Sequence, residues 1–349
     1  MDVNNIENTE VSAAGPRDAV MDRVLSAYFK TPRDQLLEAE VDWLLDSYQR
    51  VHSRRAEGKS RVGRLAEGRI LSVLGESGAG KTRSLQRLFA SRRELADLEK
   101  GGSSITVIAP SPCTLKQLGN SFLAALGYEL ERDLRENVVW ALVRQRLRDC
   151  RVRIVHIDEL QHALKDGNAY ELQKVRDTLK NIVQQKDWPV WLILSGLPMV
   201  ARFFQGDTQI KRRSRFVRFE PIEFPRDARM IDAMIRQFVV DRAGLSVDRE
   251  NDEAIARLIH ASLNQLGTAI EFTQDAIEEA LRSGDGGVRI GHFAKAYAAR
   301  TGCGPDANVF IARDWHRIDP RKILDADDQA NAGLDPEQPS KKPRDVRNK

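Results

Sequence analysis

Ile70-Leu71-Ser72-Val73-Leu74-Gly75-Glu76-Ser77-Gly78-Ala79-Gly80-Lys81-Thr82, running on into Arg83-Ser84-Leu85-Gln86-Arg87-Leu88-Phe89, is the stretch that decides the fold. An apolar strand enters a glycine-rich turn, and an amphipathic helix leaves it. The glycines let backbone N–H groups curl around phosphate oxygens, Lys81 reaches the terminal phosphates, and the Thr82 hydroxyl supplies an oxygen to Mg²⁺. The helix that follows turns its positive dipole end toward the same anion. Gly75, Glu76, Ser77, Gly78, Ala79, Gly80, Lys81 and Thr82 are therefore the expected nucleotide-binding residues, with ATP and Mg²⁺ as the ligands.

Downstream, Arg153-Ile154-Val155-His156-Ile157-Asp158-Glu159 is an apolar strand that ends in two acids. In isolation it reads equally as a strand followed by a helix N-cap aspartate. Paired with the glycine-rich loop upstream it reads as a Walker B strand: Asp158 holds Mg²⁺ through its water shell and Glu159 polarises the attacking water. A third apolar run, Trp191-Leu192-Ile193-Leu194, ends at Ser195-Gly196. Ser195 either senses the γ-phosphate or is a turn residue before Gly196 and Pro198.

Lys211-Arg212-Arg213-Ser214-Arg215-Phe216-Val217-Arg218 holds five basic residues in eight and no acid. The run is either a solvated surface or the source of an arginine that reaches a neighbouring subunit's γ-phosphate. Arg212 or Arg213 is favoured for that role, with Arg215 in reserve.

Strands at Ile70–Leu74, Ile105–Ala109, Ile154–Ile157 and Val190–Leu194 alternate with helices from Lys81, across Leu115–Leu126 and Leu134–Cys150, and at Glu171–Lys186. That order predicts an α/β P-loop domain, a mainly parallel sheet flanked by helices with its chemistry at the strands' C-terminal ends. Past Phe224 only helical periodicity remains, at Arg226–Arg242, Asp252–Leu263, Thr268–Leu281 and Ile290–Thr301, which predicts a small helical lid. The expected divisions are a disordered 1–16, helices and a basic linker over 17–69, the nucleotide domain over 70–224, the lid over 225–303, an extension over 304–324 and a disordered tail over 325–349. A helix is expected from Thr31-Pro32 as far as Tyr48. Between Val51 and Arg69, six basic residues stand against Glu57 and Glu67, and the stretch reads either as a solvated linker or as a surface near phosphate.

Composition is that of a soluble globular chain: 349 residues, 41% hydrophobic and 30% charged. With 55 Lys and Arg against 51 Asp and Glu, the net charge of +4 is too small to announce a nucleic-acid partner, so local clusters must carry that argument. Cys113, Cys150 and Cys303 lack paired zinc spacing and read as reduced thiols. The first sixteen residues show no leader, and no run approaches the length needed to cross a bilayer, so a cytoplasmic protein without a membrane partner is expected.

Gly75–Thr82, Asp158-Glu159-Leu160-Gln161-His162, Leu194-Ser195-Gly196-Leu197-Pro198 and the Arg212-Arg213 cluster, in this order and followed by a helical lid, resemble the AAA+ ATPases of transposition, most closely the TniB/TnsC branch, with IstB-like and MuB-like proteins as cousins. The resemblance spans roughly residues 30–315. It implies an ATP-dependent regulator that assembles on double-stranded DNA as a ring or filament and works with a DDE-type transposase and a target-selection protein. By family position Lys81, Thr82, Asp158 and Glu159 carry the nucleotide and metal chemistry, Ser195 is the sensor-1 residue, and Arg212 or Arg213 acts in trans. Thr114 and Lys116 fall where the family faces DNA, and equally read as an N-cap and a surface lysine. Two departures stand out. The turn Gln265–Ile270 lacks the second-sensor arginine of many lids, and Asn308-Val309-Phe310 lacks the proline of the Asn-Pro-Phe stretch it resembles. A nucleotide-locked scaffold with little hydrolysis and a helicase-loader-like ATPase remain as alternatives.

Overall fold

The computed structural model describes residues 15–56, 67–165, 169–185, 187–204, 207–247 and 252–324. Expectations placed on residues 1–14, on the side chains of the basic stretch from Arg54 to Arg64 and on the tail from 325 lie outside the described residues. The chain forms two compact units: one holds Tyr28–Ile222 with Gln265–Thr268, and the other holds the chain before Tyr28, Glu223–Asn264 and the chain from Ala269 on. Pro16–Ser26 forms α1, which belongs to the second unit.

The first unit runs α2 (Pro32–Ala56), β1 (Ile70–Gly75), α3 (Lys81–Ser91), β2 (Ser104–Ile108), α4 (Leu115–Ala125), α5 (Glu136–Asp149), β3 (Ile154–Asp158), α6 (His162–Lys165), α7 (Ala169–Val183), β4 (Trp191–Gly196), α8 (Thr208–Lys211) and β5 (Ser214–Phe219). The strands lie in the order β2-β3-β4-β1-β5, and every neighbouring pair is parallel. Side chains alternate across the pleat. Ile70, Leu74, Val155, Ile157, Leu192 and Leu194 point to a layer filled by Phe122, Trp140, Val143 and Leu179. Leu71, Val73, Ile154, Trp191, Ile193 and Val217 point to the other, filled by Leu37, Val41, Leu44 and Leu85. Covered on both faces, β1, β3 and β4 are buried along their whole length, which is why they read as continuous apolar runs.

The charged run at Lys211–Arg218 is only in part a surface segment: from Ser214 it is the edge strand β5, with Ile70 opposite Ser214 and Gly75 opposite Phe219. The helix expected to stop at Tyr48 continues to Ala56.

In the second unit, α9 (Ala228–Arg236) continues as a π-helical turn over Gln237–Arg242, and α10 (Asp252–Ala261), α11 (Leu266–Ser283) and α12 (Ile290–Thr301) follow. Where only helices are expected, Ser246–Val247 and Gly287–Val288 form a short parallel pair. Phe238, Phe272, Ile277, Tyr297 and Phe310 build the core of this unit. Asn308 is buried, donating to the Ala294 carbonyl at 2.8 Å and accepting from the Phe310 amide at 3.0 Å, so Asn308-Val309-Phe310 is spent on packing. The three cysteines form no disulfide among the described residues, and no described helix is long and apolar enough to cross a membrane.

The Arg257 guanidinium is buried and donates to the carbonyls of Val309 and Ala312 at 2.6 and 2.9 Å, with Glu253 at 2.8 Å. Arg257→Ala strands two carbonyls and is expected to lower the stability of the helical unit by about 2–3 kcal/mol in urea unfolding. A loss within the range of neutral surface substitutions would show that water replaces the guanidinium there.

Candidate functional site

The loop after β1 takes its shape from two left-handed glycines, Gly78 at φ 75° and Gly80 at φ 92°. A side chain at Gly78 is excluded twice, by that torsion and because a Cβ would lie 2.2 Å from the Thr268 hydroxyl. Thr268 donates its amide to the Gly78 carbonyl at 3.2 Å, which seats the Gln265–Thr268 turn on the loop. Lys81 opens α3 and is buried, its ammonium donating to the Gly75 and Glu76 carbonyls at 2.8 and 2.9 Å. Burial draws its pKa below the usual lysine value, opposed by the charges of Glu159, Asp158 and Glu76.

Asp158 ends β3, buried, with its two oxygens committed differently. Oδ1 accepts from the Ser195 hydroxyl at 2.5 Å and the Glu159 amide at 3.0 Å, while Oδ2 faces the Thr82 hydroxyl at 3.4 Å. Because Ser195 gives its one proton to Asp158, the 2.7 Å contact with His156 Nε2 is donated by the imidazole. His156 Nδ1 is then left bare in the core, and burial pushes the imidazole pKa down to about 4, so the ring is neutral. Thr82 and Asp158 Oδ2 form a pair of hard oxygen donors. Among the described residues no cluster of three or more metal-binding side chains exists. One carboxylate, one hydroxyl and room for phosphate oxygens fit Mg²⁺ better than a metal caged by protein alone.

Glu159 is half-buried at φ 56°, and its carboxylate accepts from the side-chain amide of Gln161. The other end of that amide accepts from the Leu197 N–H at 3.2 Å, and Leu160 N–H donates to the Ser195 carbonyl at 3.1 Å. Gln161, quoted in the sequence only as part of a run, is thus a buried bridge from Glu159 to the chain after β4. Its signal was a polar residue two places beyond the acid pair. A Cβ at Gly196 would lie 2.5 Å from Gln161 Oε1 and 2.9 Å from a Val200 methyl, so the glycine is what lets the bridge close.

A second unforeseen group is Tyr28. Its hydroxyl bonds Asp34 and lies 2.8 Å from Ser84 Oγ on α3, while Arg87 lies over its ring at 4.7 Å. Burial and Asp34 raise its pKa to about 12. The chain ahead of β1 is thereby tied to the helix of the glycine-rich loop.

The remaining sequence candidates lie elsewhere. The Arg213 carbonyl accepts from the Ile70 amide at 2.9 Å, which puts Arg212 and Arg213 at the start of β1 and β5. Five strand residues separate that end from the loop, about 16 Å, so neither side chain serves the loop of its own chain. Arg213 bonds Glu67 at 2.5 Å and the Gln209 carbonyl at 2.6 Å. Arg215 bonds Glu40 at 3.1 Å, and Arg212 is exposed without a side-chain partner among the described residues. Thr114 caps α4 in a reciprocal pair with Gln117, and Lys116 is held by Asp133 at 2.5 Å. Both therefore have internal employment.

Residues 64–204 match a family model described as an AAA domain. No protein of curated function matches the sequence. Among solved structures, the chain is similar to Aeropyrum pernix ORC1 in complex with DNA, at 19% identity and TM-score 0.55 over 82% of this chain and 70% of that one. It is similar to Cdc6p of Pyrobaculum aerophilum, at 14% identity and TM-score 0.54 over 79% and 69%. It is also similar to Aeropyrum pernix ORC2, at 14% identity and TM-score 0.51 over 79% and 71%. At such identities the likeness is one of fold.

Gly196→Ala is expected to cost about 1–3 kcal/mol through overpacking, and to cost less in a Gln161→Ala background, a coupling that a double-mutant cycle of denaturation energies measures. Additive costs would show that Gln161 does not occupy the space above Gly196. The chain has a P-loop α/β fold whose residues 64–204 match an AAA domain, with the glycine-rich loop, acid pair and Ser195 gathered at the C-terminal ends of neighbouring parallel strands.

Proposed function

We propose that the protein is an ATP-dependent regulator of DNA transposition, which oligomerises on double-stranded target DNA and recruits or activates a DDE-type transposase, with a target-selection protein as a further partner. The observation that carries the ATPase part is the convergence on Asp158: Thr82, Ser195 and Glu159 meet at one carboxylate beside Lys81. The transposition part rests on the Asp-Glu-x-Gln-His and Ser-Gly-x-Pro runs.

Backbone N–H groups of Gly75–Thr82 bind the phosphates, and Lys81 exchanges its carbonyl partners for phosphate oxygens. Thr82 and Asp158 Oδ2 would hold Mg²⁺, which would draw charge from the phosphate oxygens. Ser195, fixed between His156 and Asp158, lies where a γ-phosphate is sensed. Glu159 orients the attacking water once its carboxylate leaves the Gln161 amide. Arg212 or Arg213 completes the site from a neighbouring copy, and Arg212 is the one without a competing carboxylate among the described residues. Without an arginine in Gln265–Ile270, hydrolysis is slow and the ATP-bound assembly long-lived.

A second reading, an initiator- or loader-like ATPase without a transposase, is favoured by the likeness to ORC1 and Cdc6p. In electron micrographs of the protein with duplex DNA and a slowly hydrolysed ATP analogue, rings or spirals around DNA are expected, and discrete monomers would refute the assembly. ATP-dependent assembly without any stimulation of a transposase encoded beside the gene would leave the second reading. Glu159→Gln is expected to lower kcat for ATP by about 100-fold or more while nucleotide affinity holds. Unchanged turnover would remove Glu159 from the reaction.

A further inference from the structure

The turn Gln265–Thr268, which opens α11, belongs to the same compact unit as the glycine-rich loop. Thr268 is the third residue of α11, so its amide finds no carbonyl within the helix, and it donates instead to the Gly78 carbonyl at 3.2 Å. The amide at the other end of the same peptide, that of Ala79, donates to the Glu76 carbonyl at 3.2 Å. The Gly78–Ala79 peptide is thus tied at both ends, once from within the loop and once from α11. Packing reinforces the second tie. A Cβ at Gly267 would lie 2.4 Å from the Gly78 carbonyl oxygen and 3.3 Å from the Gly80 nitrogen, so a bare Cα is what lets α11 come this close. Gln265, Leu266, Gly267 and Thr268 carry no charge, and whatever the turn does to the loop it does by shape.

A glycine-rich loop cradles the α- and β-phosphates with backbone amides that have to point the same way, yet glycine leaves the peptide planes on either side of it free to turn. A carbonyl turned into the loop would set its lone pairs against the phosphate oxygens. We propose that Gly267 and Thr268 are positioning residues of the nucleotide site, which lock the Gly78–Ala79 peptide and so set the loop for phosphate before a nucleotide arrives. This rests on the ATP-binding reading above and assigns a role to the turn that lacks an arginine. An arginine there would act by charge on the last phosphate and favour ATP over ADP. A lock on the loop acts on the phosphates that ATP and ADP share, because freedom already lost in the empty loop is not lost again on binding. The turn therefore sets affinity for both nucleotides and leaves the difference between them to Lys81, Ser195 and the acid pair.

The test is titration of the full chain with methylanthraniloyl-labelled ATP and ADP, followed by fluorescence anisotropy. Thr268→Pro removes the amide proton in the first turn of a helix, where proline is tolerated, and Gly267→Ala drives a methyl group against the Gly78 carbonyl. Each is expected to weaken ATP and ADP by the same factor, about fivefold to tenfold, and to raise KM for ATP by that factor while kcat holds. Thr268→Ser keeps the amide and is expected to restore the binding of both. Thermal melting followed by circular dichroism without nucleotide reports the fold, and should Thr268→Pro not fold, Gly267→Ala carries the test. A variant that melts earlier yet binds both nucleotides with wild-type affinity well below its melting point would assign the turn to stability alone and overturn the proposal. Weaker ATP with unchanged ADP would reveal a contact to the last phosphate and overturn it as well. Absence of binding of either nucleotide by the wild-type chain would overturn the ATP-binding reading itself.

Discussion

The Asp158 carboxylate is the constraint on which the geometry of the site depends. A buried carboxylate is costly unless its lone pairs are satisfied, and here the donors come from separate elements: Ser195 from the end of β4, the Glu159 amide from its own chain, and Thr82 from the first turn of α3. Satisfying one anion therefore fixes two strand ends and the start of a helix relative to one another. His156 extends the arrangement without adding charge. Burial holds the ring neutral, so it orients the Ser195 hydroxyl and leaves the negative charge on Asp158 uncompensated at the oxygen that faces Thr82. Lys81, its pKa lowered by burial and raised by the charges of Glu159, Asp158 and Glu76, supplies the opposing charge.

Glu159 stands beside this anchor in a backbone conformation that non-glycine residues rarely adopt, with φ at 56°. Its side chain is engaged by Gln161, and Gln161 in turn by the Leu197 amide next to Gly196. The acid is therefore not a free side chain at the mouth of a cleft. Any movement that brings it toward a bound phosphate has to break a buried amide contact, and that contact reaches the same segment that carries Ser195. Ser195 and the Leu197 amide that holds Gln161 stand two residues apart along β4 and the chain that follows it.

Most of the sheet was legible because β1, β3 and β4 are buried on both faces and so are written as unbroken apolar runs. The edge strand β5 was not, for the complementary reason. With one neighbour only, it tolerates Arg215, Phe216 and Arg218 in exposed positions, and Val217 and Phe219 alone face the core. The last two turns of α2 carry mainly polar side chains that periodicity cannot distinguish from linker. The P-loop and acid pair were readable because their chemistry dictates residue types at fixed spacing. The tethers at Tyr28 and Gln161 were not, since each is a long-range hydrogen bond whose partner no local pattern announces.

A parallel sheet has two unlike ends, and in this chain they differ in what they could offer an anion. At the C-terminal ends of the strands the ligands are backbone N–H groups, a lysine and a helix dipole, held in a preformed loop. At the N-terminal ends stand guanidinium groups, some anchored by Glu67, Glu40 and Trp43, while Arg50 and Arg212 have no side-chain partner among the described residues. The two ends lie too far apart to act on one phosphate within a molecule, but a head-to-tail contact would bring the arginine end of one copy to the loop end of the next. Such a contact is heterologous, and its rotation alone decides whether it closes into a ring or continues as a helix.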